Sequence, residues 1–467
     1  MTFQQYIQQK NLDISIVNLE DLENHNRFDS EFYAVDILGL RNKLKSNGSK
    51  KLLDYKVNIK RGINPNYSEN GEIKVLRSVN IRENGFSDTR QDFISFETYD
   101  SINNGKTKKQ DILLNVTGVG TLGRSSFVFD DEKYVFSQDV VALRNFKDIL
   151  PEFLFTYLNS SLGQKQINVL YKGSSGQIHL YPDDIEEILV PLVSFQTQIA
   201  NLVQESFKQK ELSKKLYLEA ENLLLSELGL ENYKPTEKNI SIKDSEEVDI
   251  FGRFDAEYFQ PKYDEIFEKV KNYKGGYDTL ENLITISNEK IKKEQDKTFK
   301  YIELADINAS LGVVNVENEI LSQELPSRAQ MKIKIGDVLV SSLAGSADKV
   351  AIIINEDKNL VASTGFFVLR SKFFNPETNL ILMKSWIYKD MLIRSARGMI
   401  MEATNKEDFS KFILPKIDIK IQEKIAELVK ESHKSLDLSK QLLEKAKKSV
   451  EIFIEEDEEK AGKFLES

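Results

Sequence analysis

The sequence predicts an α+β protein. It reads as two similar strand-rich α/β domains separated by an antiparallel coiled-coil pair of long helices, with pseudo-two-fold symmetry from a tandem duplication. Three observations predict this. One offset of 226 residues aligns motifs along the whole chain. Each repeat opens with short β-branched or aromatic runs broken by Gly, Asn and Asp. Each closes in a stretch rich in Gln, Glu, Lys and Leu with a coiled-coil period.

The repeat is the first element to justify, because a missed repeat misreads the whole fold. Arg27-Phe28-Asp29-Ser30-Glu31-Phe32-Tyr33 returns as Arg253-Phe254-Asp255-Ala256-Glu257-Tyr258-Phe259. The same offset pairs Val79-Asn80-Ile81 with Ala305-Asp306-Ile307, Asp111 to Leu114 with Asp337 to Val340, and Leu143-Arg144 with Leu369-Arg370. Near the repeat ends it pairs Gln196, Ile199, Ala200, Leu202 and Val203 with Gln422, Ile425, Ala426, Leu428 and Val429. The strand-rich parts carry runs such as IKVLRSVNI, DILLNV, SSFVF and KYVFSQDVVALR.

A long helix is predicted after Pro191 and again after Pro415, since Pro pre-sets the first helical turn and neither Gly nor Pro follows for many residues. In the second helix Ile425, Val429, Ser432, Leu436, Ser439, Leu443, Ala446, Val450 and Phe453 recur in steps of four and three. The first carries Ile199, Val203, Ser206, Lys210, Ser213, Tyr217, Ala220 and Leu224 at the matching places. Small Ser and Ala side chains on both seams suit close approach, while Lys210 weakens the first seam; the two helices are expected to pair with each other. At about 1.5 Å per residue the seam spans roughly 40 Å, and the globular parts are expected at its two ends, somewhat more than one DNA turn of about 34–36 Å apart. The expected boundaries are 1–192 for the first domain, 193–235 for the first helix, 236–416 for the second domain, and 417–467 for the second helix and an acidic tail.

Composition bounds the rest. The chain has 467 residues, 40% of them apolar, enough to bury substantial cores. It has no cysteine, which excludes disulfides, thiolate metal sites and thiol nucleophiles and suits a reducing cytoplasm. His25, His179 and His433 lack ligand-like spacing, so no metal site is expected, although all-carboxylate magnesium sites leave no such trace. No apolar run approaches the roughly 20 residues of a membrane span, and the polar start MTFQQYIQQKNLD is unlike a signal peptide. A cytoplasmic protein without a membrane partner is expected. The net charge is −10, but charge is segregated: Glu451 to Ser467 holds seven acids and two lysines, whereas Arg41 to Arg61 holds eight Lys or Arg and one acid. Such a basic run commonly marks a solvated face, yet it removes the objection that the whole surface repels phosphate.

The order of elements resembles the specificity subunit of type I restriction–modification systems. The resemblance rests on RFDSEFY and RFDAEYF, on GSSGQIHL, and on the helix starts VPLVSFQTQIANLV and LPKIDIKIQEKIAELV, and it covers nearly the whole chain. Specificity subunits of some type II systems share the layout. The resemblance implies two target-recognition domains, each reading one half of a bipartite double-stranded DNA target, and a helix pair that sets the spacing. It also implies docking of adenine methyltransferase subunits, two of them, which bind S-adenosylmethionine, and a restriction or translocase subunit. This chain would supply recognition, with no cofactor or catalytic residue of its own. Asn64-Pro65-Asn66-Tyr67 resembles an adenine-methyltransferase motif but lacks its second proline, has no counterpart in the second repeat, and reads as a turn. No Walker-type phosphate loop is present.

Loops of the strand-rich parts are the expected DNA contacts, with Arg and Lys suited to guanine or phosphate and Asn and Gln to adenine. In the first repeat these are Lys60, Arg61, Asn64, Asn66, Tyr67, Arg77, Ser78, Asn80, Arg82, Thr117 and Arg124. The loop with Lys172, Ser174, Ser175 and Gln177 joins them. In the second repeat they are Lys292, Lys293, Ser341, Ser342, Lys349, Arg394 and Arg397, near the Gly398 turn. The Arg-Phe-Asp segments are expected to be scaffold, and Met399 and Met401 packing residues. A rival reading is a dinucleotide-dependent enzyme using Gly118, Gly120 and Gly123, whose G-x-G-x-x-G follows a strand. That reading requires a helix after Gly123 to receive a pyrophosphate, whereas Arg124-Ser125-Ser126-Phe127-Val128-Phe129 has the pattern of a strand.

Overall fold

The computed structural model describes residues 14–20, 22, 27–173, 178–234, 236, 240–246, 254–292, 294, 296–316, 319–354, 357, 359–398 and 402–467. The chain divides into two compact units, Met1–Lys210 with Asp437–Ser467, and Glu211–Leu436. Each therefore includes part of both long helices, Gln196–Glu227 and Ile419–Glu455.

In the first unit helix α1 (Val35–Ser46) precedes strands β1 (Asn58–Arg61), β2 (Ile73–Leu76), β3 (Asp92–Ile94), β4 (Ile112–Asn115), β5 (Ser125–Phe127), β6 (Tyr134–Phe136) and β7 (Val140–Arg144). Helices α2 (Pro151–Asn159) and α3 (Ser161–Leu170) follow. One sheet has the order β1-β7-β4-β5, antiparallel throughout; a smaller one has the order β3-β2-β6, in which β2 and β6 run parallel. Strand β4 explains why the sheets and helices form layers. Its side chains alternate, so Ile112 and Leu114 join the helices in one core while Leu113 joins Leu76 and Phe136 of the smaller sheet in another. Both faces are covered, which is why the strand reads as an unbroken apolar run.

The second unit repeats this. Helix α4 (Pro261–Lys271) is followed by β8 (Ile284–Ser287), β9 (Thr298–Ile302), β10 (Glu319–Leu321), β11 (Ala329–Lys332), β12 (Val338–Ser341), β13 (Val350–Ile352), β14 (Leu360–Ser363) and β15 (Phe366–Ser371), then α5 (Pro376–Lys384) and α6 (Trp386–Ser395). The sheets are β8-β15-β12-β13, antiparallel, and β10-β9-β14-β11, with β9 and β14 parallel. Strands β8, β12 and β14 lie 226 residues beyond β1, β4 and β6. The tandem duplication read in the sequence is thus a duplication of topology. The second unit adds β11 as a full edge strand where the first has only the Lys106–Val135 bridge.

Within the first unit the long helices run antiparallel: Phe195 meets Phe453, and Ser206 Oγ lies 3.0 Å from Ser439 Oγ. In the second unit Ser213 Oγ lies 3.1 Å from Ser432 Oγ, and Ser432 Oγ donates to the Ser213 carbonyl at 2.7 Å. Every apolar or serine seam position singled out above is buried. Lys210 is half-buried and donates to the Asn84 carbonyl on the hairpin of Ile81–Arg82 and Gly85–Phe86. A polar seam position is tolerated there because it holds the hairpin.

The same buried fork braces both units. Arg144 Nε and Nη2 donate to Asp111 at 2.9 and 2.6 Å, and Arg370 Nε and Nη2 donate to Asp337 at 2.9 and 3.2 Å. The Arg-Phe-Asp segment of the first unit is scaffold in its polar members. Arg27 forks onto Asp29 at 2.8 and 2.9 Å and donates to the Leu170 carbonyl, capping α3. Arg41, stacked on Phe32 at 3.6 Å, is pushed down to about 10 by burial. Arg253, Met399 and Met401 lie outside the described residues.

Candidate nucleic-acid interface

In the first unit the ends of β1, β2, β4 and β6 and the start of β7 converge on the turn Ser137–Asp139. Ser137 N donates to Leu76 O at 2.9 Å, Val116 N to Asp139 O at 3.0 Å, Gly62 N to Val140 O at 3.1 Å, and Ile63 N to Phe136 O at 3.1 Å. Asn115 Nδ2 reaches across to the Ser78 carbonyl at 2.9 Å. Bridges join Thr117 to His179 and His179 to Lys172. Three loops far apart in sequence are thereby tied into one rim by main-chain hydrogen bonds.

Most of the expected residues of this unit lie along that rim. Lys60, Arg61, Asn64, Asn66, Tyr67, Arg77 and Lys172 are exposed, and Ser78 and Thr117 are half-buried. Arg61 Nε donates to the Gln138 carbonyl at 3.3 Å, Arg77 pairs with Asp92 at 2.6 Å, and Lys172 pairs with Asp184 at 2.8 Å. Hydrogen bonding to Asp92 raises the Arg77 guanidinium above its ordinary value. Arg82 and Arg124 are half-buried, and the Arg82 guanidinium is lowered first by burial and then by the like charge of Arg124. Ser174, Ser175 and Gln177 lie outside the described residues. Asn80 is a correction: it is fully buried, accepts from Arg77 N and donates to the Ser87 and Thr89 carbonyls. Its amide is consumed in shaping the turn after β2, so it is not presented to a ligand.

The second unit builds the corresponding rim around the turn Thr364–Gly365. Ser342 donates to the Gly365 carbonyl through both N and Oγ, at 2.9 and 3.0 Å, and Thr404 N donates to Ser342 O at 2.8 Å. Bridges link Leu343 to Ala403 and Ala403 to Arg397. Exposed Arg397 pairs with Asp408 at 3.0 Å, and exposed Lys292 follows β8. Lys293 lies outside the described residues. Lys349 is half-buried and donates to the Ile307 carbonyl at 3.1 Å, bracing a hairpin.

Two further corrections fall here. Ser341 is fully buried within β12, and its Oγ accepts from Leu343 N at 3.1 Å. Arg394 is buried on α6, where it donates to the Tyr258 carbonyl at 2.7 Å and stacks over Tyr258, Tyr263 and Phe267. An arginine enclosed by three aromatic rings braces the fold. Sequence reasoning also missed Gln138 and Thr364, the exposed residues of the two turns, and Arg328 beside the second. Single residues between two apolar strands give no local signal of lying at a shared rim.

The glycine run after β4 is a loop. Gly118, Gly120 and Gly123 all have positive φ, at 92, 76 and 83°, and the chain passes directly into β5. Left-handed backbone is what glycine supplies there. With no helix after Gly123 a pyrophosphate has no helix N-terminus to receive it, and the dinucleotide reading falls. Among the described residues no helix is long and apolar enough to cross a membrane.

Turns carrying Arg, Lys and other polar side chains at one edge of a layered scaffold, built twice, suit recognition of a ligand outside the protein. Residues 56–222 match the family described as the type I restriction modification DNA specificity domain. Over those residues the chain is similar to such a domain. No curated protein matches the chain. Among solved structures it is similar to the S subunit of a type I system from M. genitalium, at 13% identity over 89% of this chain and 95% of that one, with a TM-score of 0.41. It is similar to the HsdS subunit from Thermoanaerobacter tengcongensis at 12% identity over 88% and 95%, with a TM-score of 0.26. These two likenesses are too distant to bear weight.

Proposed function

We propose that the chain is a two-domain specificity subunit, in which each unit reads one half of a two-part target on double-stranded DNA. The observation that carries this is the rim, built twice from the same strand ends and dressed differently. The first presents Arg61, Asn64, Asn66, Arg77, Gln138 and Lys172; the second presents Lys292, Arg328, Ser342, Thr364 and Arg397. A common scaffold with different polar side chains suits two different half-sites, since phosphate contacts position a protein and base-edge contacts specify sequence.

The chain itself recognises and does not catalyse. Methyl transfer to adenine, with its S-adenosylmethionine, resides in methyltransferase subunits, two of which dock on the long helices, and a translocating nuclease subunit joins for restriction. The complex works in the cytoplasm. The test is to purify the chain with its methyltransferase partner and map methylated adenines. Replacing residues 1–192 by the equivalent part of another specificity subunit should change one half of the target and keep the other. Retention of the original two-part target after that exchange would overturn the proposal.

A further inference from the structure

A cleft of about 470 Å³ opens at the rim of the second unit, lined by residues that include Tyr301, Glu303, Arg328, Ser342 and Thr364. Arg328 is held there by its main chain. Its carbonyl accepts from Thr364 N at 2.9 Å, and the next residue, Ala329, is fully buried at the start of β11. The turn it grips is fixed from the other side by the two bonds from Ser342 to Gly365. The Arg328 side chain is exposed, and among the described residues its guanidinium has no hydrogen bond or ion pair. Arg77, Arg144, Arg370 and Arg397, by contrast, are each paired with a carboxylate. An anchored backbone with an unengaged planar fork is preorganised for a ligand outside the protein.

Two ligand groups fit a guanidinium fork, a phosphate and the O6/N7 edge of guanine. The Glu303 carboxylate in the same cleft favours the base edge, because it repels the full negative charge of a phosphate more strongly than the partial charges on O6 and N7 of a neutral guanine. Resting on the two-half reading above, we propose that Arg328 reads a guanine in the half-site of the second unit. The position 226 residues earlier is Ile102, so the first unit has no arginine at the corresponding place.

The test uses the full chain in complex with its methyltransferase partner, on a DNA library randomised across both halves, with wild type, Arg328→Ala and Arg328→Lys compared. The expected result is that Arg328→Ala loses preference at one G·C pair of the second half by roughly ten- to hundredfold, with the first half unchanged. Arg328→Lys, which keeps the charge and loses the fork, should restore only part of it. An unchanged base preference, or full restoration by lysine, overturns the proposal. So does uniform weakening on all sequences with a shallower salt dependence, which marks a phosphate contact. A wild-type complex that marks no two-part target refutes the reading beneath the proposal, and the proposal with it.

Discussion

Replacing Arg144 by Met should destabilise the first unit in a strongly pH-dependent way. Asp111 is 1% exposed and accepts three hydrogen bonds, two from Arg144 and one from Lys108 N at 2.8 Å. Burial already pushes its carboxyl up, with Arg144 and Lys108 opposing. Without Arg144 the folded protein must keep an unpaired buried charge, costing about 3–5 kcal/mol, or protonate Asp111. Protonating a group of ordinary value near 3.9 at pH 7 costs about 4 kcal/mol relative to the unfolded chain, so the loss is capped near that figure. The sign follows from linkage: a carboxyl raised in the folded state contributes fully below its unfolded value and loses that contribution as pH rises. The deficit of R144M should therefore shrink by about 1.4 kcal/mol per unit as pH falls from 7 towards 4. The double variant R144M/D111L, with no buried charge left, should recover most of it. Urea unfolding followed by fluorescence across pH 4–8 measures this. A loss below about 1 kcal/mol, or one that does not vary with pH, would refute the reasoning.

Ser213→Leu should cost about 1–3 kcal/mol by overpacking the fully buried crossing with Ser432, whereas Ser213→Ala should cost about 1 kcal/mol for the lost hydrogen bond; equal melting curves for the two would contradict the close approach. Burial pushes the Glu83 carboxyl up, and Lys447 at 2.9 Å draws it partly back. Its contribution is full below the ordinary carboxylate value and is lost as pH rises through the raised one. Glu83→Gln should thus flatten stability against pH above about pH 4.3, and parallel curves for variant and wild type would count against it.

Legibility was uneven, and neighbouring residues show where it stopped. Arg77 and Asn80, Ser341 and Ser342, and Arg394 and Arg397 are pairs of polar residues that look equally suited to bind DNA. Arg77, Ser342 and Arg397 reach the rim, while Asn80, Ser341 and Arg394 are buried. Ser341 ends a strand covered on both faces, and Ser342 lies one step past it. Asn80 and Arg394 spend their donors on carbonyls that hold a turn and a helix–loop contact in place. Nothing within a few residues of any of them distinguishes the two fates.

The sequence by itself determined the duplication, the strand runs, the two long helices and their seam. All of these are periodicities, and a period is written in neighbouring residues: two for a strand, about 3.5 for a helical seam, 226 for the repeat. Only the tertiary structure decided the rim, because it is closed by bonds such as Asn115 to Ser78, Val116 to Asp139 and Thr364 to Arg328, which join segments 23 to 37 residues apart. Hydrogen bonds between separate strand ends leave no period behind. That is why Gln138, Thr364 and Arg328 became visible only once the strands were paired.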